Sequence, residues 1–140
     1  MERAQTQYTV SVKNEVGQLR KLMMSLTQEQ VPVLAVAWQA EGDTGFIRFV
    51  TDRGLGVAPA LARLGWTAVQ TPVHTVAVPT RPGELGRLLK LFDDAGLNVL
   101  EMYGSAEKGD TCRMVIAVDR PEIAEKLLNA YTETMFLASR

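Results

Sequence analysis

Val10 and Val12 alternate with Thr9 and Ser11, and Val76 and Val78 alternate with Thr75 and Ala77. Alternation of apolar and polar positions marks strands buried on one face. After each segment the period changes. Leu19, Leu22, Met23 and Leu26 fall at i, i+3, i+4 and i+7, as do Leu85, Leu88, Leu89 and Phe92. That spacing lines one side of a helix. Each residue of the first strand and helix has its counterpart 66 positions later (74 − 8 for the strand starts), without a gap. Gly17 and Gly83 occupy equivalent points between strand and helix. The chain carries one supersecondary unit written twice.

The rest of each copy follows the same way. Strands are expected from about Val31 to Ala40 and from about Leu97 to Ala106, with Gly96 ending the helix before the second of these. Glu41-Gly42-Asp43-Thr44-Gly45 and Glu107-Lys108-Gly109-Asp110 have the composition of hairpin turns. Beyond them the offset becomes 67, and Ile47, Phe49 and Asp52 match Met114, Ile116 and Asp119. Asp119-Arg120-Pro121-Glu122 reads as a helix start with an acidic cap. Gly54, Gly56 and Pro59 make the matching helix of the first copy late, short or kinked. Final strands are expected near Thr67–Gln70 and Thr134–Leu137.

Each copy thus reads as β-α-β-β-α-β, giving an α+β protein of two ferredoxin-like units with antiparallel sheets. The expected units are residues 1–72 and 73–140. Only Thr71-Pro72-Val73 separates the last strand of one from the first strand of the other, so they are expected to pack as a rigid tandem pair. On the sheet face away from the helices, parity collects Thr9, Ser11, Thr75, Ala77, Val33, Ala35, Ala37, Val115 and Ala117. A solvated face is richer in long polar side chains, so part of this one is expected to be covered.

Composition narrows the function. Two units of about 65 residues are each marginal as lone cores, which favours packing on each other and on a second chain, as a homodimer. Fifteen basic and sixteen acidic residues leave a net charge of −1, which excludes a broad nucleic-acid footprint. The single Cys112 and single His74 supply no disulfide or metal-ligand cluster, and no cofactor motif is present. There is no signal-peptide pattern and no apolar run of membrane-spanning length, so a cytoplasmic setting is expected.

The repeat, with Thr80-Arg81-Pro82-Gly83-Glu84-Leu85 followed by Asp94-Ala95-Gly96-Leu97-Asn98-Val99, resembles the ACT domain family over about Gln7 to Leu137. The match is weaker in the first copy, where Asn14-Glu15-Val16-Gly17-Gln18-Leu19 lacks the proline. The resemblance implies a free-standing, non-catalytic regulatory module. Such modules bind amino acids or other small metabolites where two domains meet, and often act on enzymes of amino-acid metabolism. It also implies polar contacts from an asparagine in the glycine turn and another at the start of the second strand. Here Asn14 supplies the first in copy one and Asn98 the second in copy two, while Pro32 and Thr80 occupy the complementary positions. The implied site comprises Asn14, Glu15, Val16 and Gly17, the turn Thr80, Arg81, Pro82, Gly83, Glu84 and Leu85, and Leu97, Asn98 and Val99.

Elementary chemistry supports a ligand at such a turn. Glycine lets the backbone come close to a ligand. The first helical turn offers unpaired N–H groups and a partial positive charge to a carboxylate. An asparagine amide both donates and accepts, which matches a zwitterion.

Other readings of the same residues are plainer. The glycines can serve backbone geometry alone, Asn98 can bond its own backbone, and Arg81 can be a solvated surface arginine. His74 shares parity with Val76 and reads as a partly buried structural residue. Among rival functions, an RNA-recognition module shares the element order, and Gly45-Phe46-Ile47-Arg48-Phe49-Val50 echoes its aromatic strand. Phe46 and Phe49 have opposite parity, however, and cannot form one stacking platform. An enzyme on this scaffold would need a nucleophile–base pair or metal cluster that the composition does not supply. The remaining alternative is an assembly or dimerisation module without a ligand, acting on a metabolic enzyme.

Overall fold

The computed structural model describes residues 4–106 and 109–138. Ten elements follow in the order β1 (Ala4–Lys13), α1 (Gln18–Gln28), β2 (Ala35–Glu41), β3 (Thr44–Thr51), α2 (Val57–Leu64), β4 (Ala68–Pro79), α3 (Glu84–Asp94), β5 (Val99–Ala106), β6 (Thr111–Val118) and α4 (Pro121–Ala138). They form two compact units, the first over Gln5–Thr71 and the second from Pro72 onward. The architecture is α+β with antiparallel strand pairing, as the alternating periods require.

In the first unit the strand order is β2-β3-β1-β4. The register sets Val10 opposite Ile47 and Tyr8 opposite Phe49. Period two then puts all four on one face, where α1 and α2 cover them, and Leu22, Leu26, Val57, Ala60 and Leu61 complete the core. The Tyr8 and Phe49 rings stack with centroids 5.2 Å apart. Helices α1 and α2 are joined by the Ser25 hydroxyl, which donates to the Ala60 carbonyl at 2.7 Å. Arg63 reinforces the joint by donating to the Ser25 hydroxyl at 2.9 Å and pairing with Glu29.

The second unit repeats this plan with β4-β6-β5. Val76 faces Met114 across the ladder, and Val76, Val78, Leu88, Phe92, Ile116, Ala124, Leu128 and Tyr131 form its core. Helix α3 stops at Gly96, which takes the left-handed conformation (φ 71°) while Leu97 N–H donates back to Phe92. At the equivalent point of the first unit Gln30 adopts φ 56° and Val31 N–H donates to Leu26. Both are helix-ending motifs in which the next apolar residue closes on the helix. This explains why β2 and β5 begin at Ala35 and Val99, later than Val31 and Leu97. Those two residues are spent on the cap, and each is buried.

Three further expectations need correction. The strand expected at Thr134–Leu137 is absent, because α4 continues to Ala138. Its buried residues Ala124, Leu128 and Tyr131 keep a helical spacing, and Met135 extends that stripe against the core. Thr71-Pro72-Val73, expected to separate two strands, lies inside the continuous strand β4. The proline, which offers no ladder N–H, stands where the first unit ends and the second begins. The Asp119 carboxylate, expected as a helix cap, accepts from the Asn98 backbone N–H at 3.1 Å. Of the second hairpin turn, Glu107 and Lys108 lie outside the described residues. Helix α2 is late and short, as its glycines require. The outer sheet face is covered at Val115 and Ala117, both buried, whereas Ser11 and Val33 are exposed.

Candidate functional site

Gly17 and Gly83 cap α1 and α3 with matching backbones, φ 89° in both. An L side chain rarely adopts that conformation, so glycine is required by the turn itself. Space is not the constraint, since a Cβ at either position would meet nothing within 4 Å. Helix α1 begins at this turn with no side-chain cap and no acidic residue in its first turn. Its leading N–H groups are therefore available to an external acceptor.

An open groove of about 710 Å³ lies at this helix start, lined by Asn14, Glu15, Val16, Gly17, Gln18, Leu19, Arg20, Met23 and Trp38. Four of these, Asn14 to Gly17, are expected site residues. Leu19 and Met23 sit one helical turn apart and form the apolar wall of α1. Trp38 comes from the edge strand β2, where it pairs with Ile47. Its indole lies across Gly45, leaving no room there for a side chain. Gln18 is buried, with only 7% of its surface exposed, and its amide oxygen has no hydrogen-bond partner. Gln18, Leu19, Arg20, Met23 and Trp38 line the groove as well and are not among the site residues expected from sequence. The bulky residue at 38 set diagonally across the ladder from a glycine at 45 was the available signal, but it needs the strand register to be seen.

Asn14 and Thr80, the equivalent turn residues of the two copies, do the same work. Asn14 donates its backbone N–H to Asp43 at 2.9 Å and its side-chain amide to Gly42 at 3.1 Å. Thr80, its repeat counterpart, donates both its backbone N–H (2.8 Å) and its hydroxyl (3.1 Å) to the Asp110 carbonyl. Each ties its strand end to its own unit's hairpin. Asn98 is exposed and is held through its backbone, which also accepts from Asp119 N–H at 3.1 Å. Leu97 is buried and Val99 half-buried at the start of β5.

The second turn differs chemically. Where the first unit has Gln18, the second has Glu84, the only acidic residue in the first turn of α3. One Glu84 oxygen pairs with Arg81 at 3.2 Å and Arg87 at 3.6 Å, both arginines being largely exposed. The other oxygen is buried without a hydrogen-bond partner, as is the Tyr131 hydroxyl. Burial, and then the Glu84 charge, push the Tyr131 phenol above its usual pKa. Pro82 and Leu85 complete this turn. The α3 N-terminus thus carries its own carboxylate, whereas the α1 N-terminus carries a neutral amide.

His74 is more deeply buried than expected, at 1% exposure, and its Nε2 has no hydrogen-bond partner. Burial lowers its pKa, against the opposing charge of Glu125. Among the described residues no group of acidic, histidine or cysteine side chains is arranged to hold a metal ion, and no helix is long and apolar enough to cross a membrane.

No protein-family model matches the sequence, and no curated protein does. Solved structures do. A protein of Bacteroides thetaiotaomicron is similar with TM-score 0.83 and 20% identity, over 94% of this chain and 90% of that one. The ligand-free regulatory subunit of aspartate kinase from Thermus thermophilus gives TM-score 0.69 and 17% identity, over 95% of this chain and 94% of that one. E. coli aspartokinase III in complex with lysine and aspartate gives TM-score 0.61 and 12% identity, with 96% of this chain covering 32% of that one. The fold of this chain is the tandem ACT-type fold found in the regulatory subunits of aspartate kinase.

Proposed function

We propose that this chain is a non-catalytic regulatory module that binds a small ligand, an amino acid, at the Gly17 turn and acts on an enzyme of amino-acid metabolism. The observation that carries the reading is the uncapped start of α1 opening into the groove beside Gly17. Backbone N–H groups at that end suit a carboxylate, and the unpartnered Gln18 oxygen suits an ammonium group. The groove lies within the roughly 300–1,000 Å³ usual for small-ligand sites. Its lining holds no serine, cysteine, histidine or lysine, so it assembles no nucleophile with a base. A protein of the same fold is known in complex with lysine and aspartate. A thermal-shift screen of the twenty amino acids tests the reading, because a ligand that binds only the folded state must raise Tm. One of them should do so in the parent chain and fail in a Gly17→Val variant.

A second reading has its own observation. Val36 and Trp38 are exposed large apolar residues on the edge strand β2, preceded by exposed Val33 and Leu34. An apolar strand edge invites pairing with another chain. On that reading the protein is an assembly module, a homodimer in the simplest case. Analytical ultracentrifugation of Val36→Lys distinguishes it: loss of the dimer, together with no amino acid raising Tm, favours assembly alone.

A further inference from the structure

We infer that the groove selects an α-amino acid with a flat, aromatic side chain, that Trp38 determines this specificity, and that one such ligand binds per chain. The inference rests on the reading of the groove as an amino-acid site. Its own basis is the contrast between the two copies of the repeat.

Trp38 corresponds to Gly104 in the second copy (38 + 66), and Gly45 corresponds to Cys112 (45 + 67). In the first unit Gly45 makes room for the indole to lie across β3. In the second unit the relation is inverted, and Gly104 makes room for the Met114 side chain. The second hairpin is thus built without a tryptophan, with Met114 over Gly104 in its place. Trp38 nevertheless keeps 37% of its surface exposed while lining the groove together with Leu19 and Met23. A large ring held flat beside two flexible apolar side chains is a surface for another ring. The charged residues of the lining, Glu15 and Arg20, are of opposite sign and give no preference for a charged ligand side chain.

The polar end also differs in charge between the two copies. Gln18 is more than nine-tenths buried and its oxygen is unpartnered, so it can accept from a ligand ammonium. The α1 N–H groups meet the carboxylate. At the same position the second copy has Glu84, whose carboxylate sits in the first turn of α3 and is paired with Arg81 and Arg87. There the helix start carries a carboxylate and two arginines in place of a neutral amide, and Gly104 in place of Trp38 offers no ring to a flat side chain. That limits binding to the first unit.

The test uses the two tryptophans, Trp38 and Trp66. In a Trp66→Phe chain, Trp38 fluorescence reports groove occupancy directly. Calorimetry with L-phenylalanine, L-leucine, L-lysine and L-aspartate supplies affinity and stoichiometry. The inference expects phenylalanine to bind about tenfold more tightly than the other three, at one per chain, and to perturb Trp38 emission. Trp38→Leu should remove that preference, and Gln18→Glu should weaken binding of every amino acid. Lysine or aspartate binding best, with Trp38→Leu without effect, overturns the aromatic assignment but leaves the amino-acid site standing. Two ligands per chain overturn the exclusion of the second turn. A Trp38→Leu chain that loses its dimer but not its affinity assigns the residue to a subunit contact, which overturns the inference. Binding of none of the amino acids removes the underlying reading as well.

Discussion

Trp38 and Gly45 are partners across the β2–β3 hairpin: the indole occupies the space that a side chain at 45 would need. The ladder sets Ala40 opposite Gly45 and Trp38 opposite Ile47, so the ring reaches diagonally across the neighbouring strand. Diagonal neighbours are within reach of an aromatic side chain. Gly45→Ala should therefore displace the ring without unfolding the unit, because Trp38 is partly exposed and has somewhere to go. In the Trp66→Phe background its emission should move to the red and its quenching by iodide should increase. Unchanged emission would contradict the packing.

Gly17 and Gly83 share one backbone conformation but differ in their surroundings. Replacing either with alanine forces a left-handed non-glycine residue, at a cost of about 1–2 kcal/mol. Urea denaturation should give similar losses for both variants. If the first turn alone serves a ligand, only Gly17→Ala should also weaken ligand binding.

His74 provides a pH dependence with a definite sign. Its folded-state pKa is lowered by burial, while the unfolded chain titrates near the ordinary value of 6.5. Below that value the unfolded state binds a proton that the folded state refuses, so stability falls as the pH drops. The contribution is fully present above the unfolded pKa. Denaturation midpoints measured from pH 8 to 5.5 should decline at the acid end, and His74→Phe should flatten the decline. A slope unchanged by that substitution would assign the effect to other groups.

Glu84→Gln tests the charged turn of the second unit. Its arginine partners are exposed, and such pairs contribute less than about 1 kcal/mol. The variant should fold with nearly normal stability. Tyr131 should then ionise at a lower pH, because one cause of its raised pKa is removed while burial remains. Ultraviolet difference titration would detect this, and an unmoved phenol would show that Glu84 does not act on Tyr131.

Asn14 and Asn98 separate the site implied by family resemblance from the groove. Asn14→Ala removes the amide bond to Gly42 and should cost about 0.5–1.5 kcal/mol of stability. Asn98→Ala leaves the two backbone bonds with Asp119 in place and should be nearly neutral. Calorimetry then decides between the two. Lost affinity in Asn98→Ala supports a site that uses both asparagines, and unchanged affinity supports the groove of the first unit alone.

The sequence by itself determined the repeat, the order of strands and helices and the glycine turns. These depend on residues near one another in the chain: the two periods, and a left-handed turn that only glycine takes without strain. It misled where one local signal stood for two structures. Val31 and Leu97 look like strand residues but close helix ends, and Thr134 looks like a strand residue within a helix whose buried stripe continues past it. Tertiary structure decided which partners each side chain meets. The register laid Trp38 over Gly45, aimed Asn14 at Gly42 and Asp119 at Asn98, and buried Gln18 at a helix start where its counterpart is Glu84. Those relations depend on distances between residues far apart in sequence, which periodicity does not encode, and they are what separates the first turn from the second.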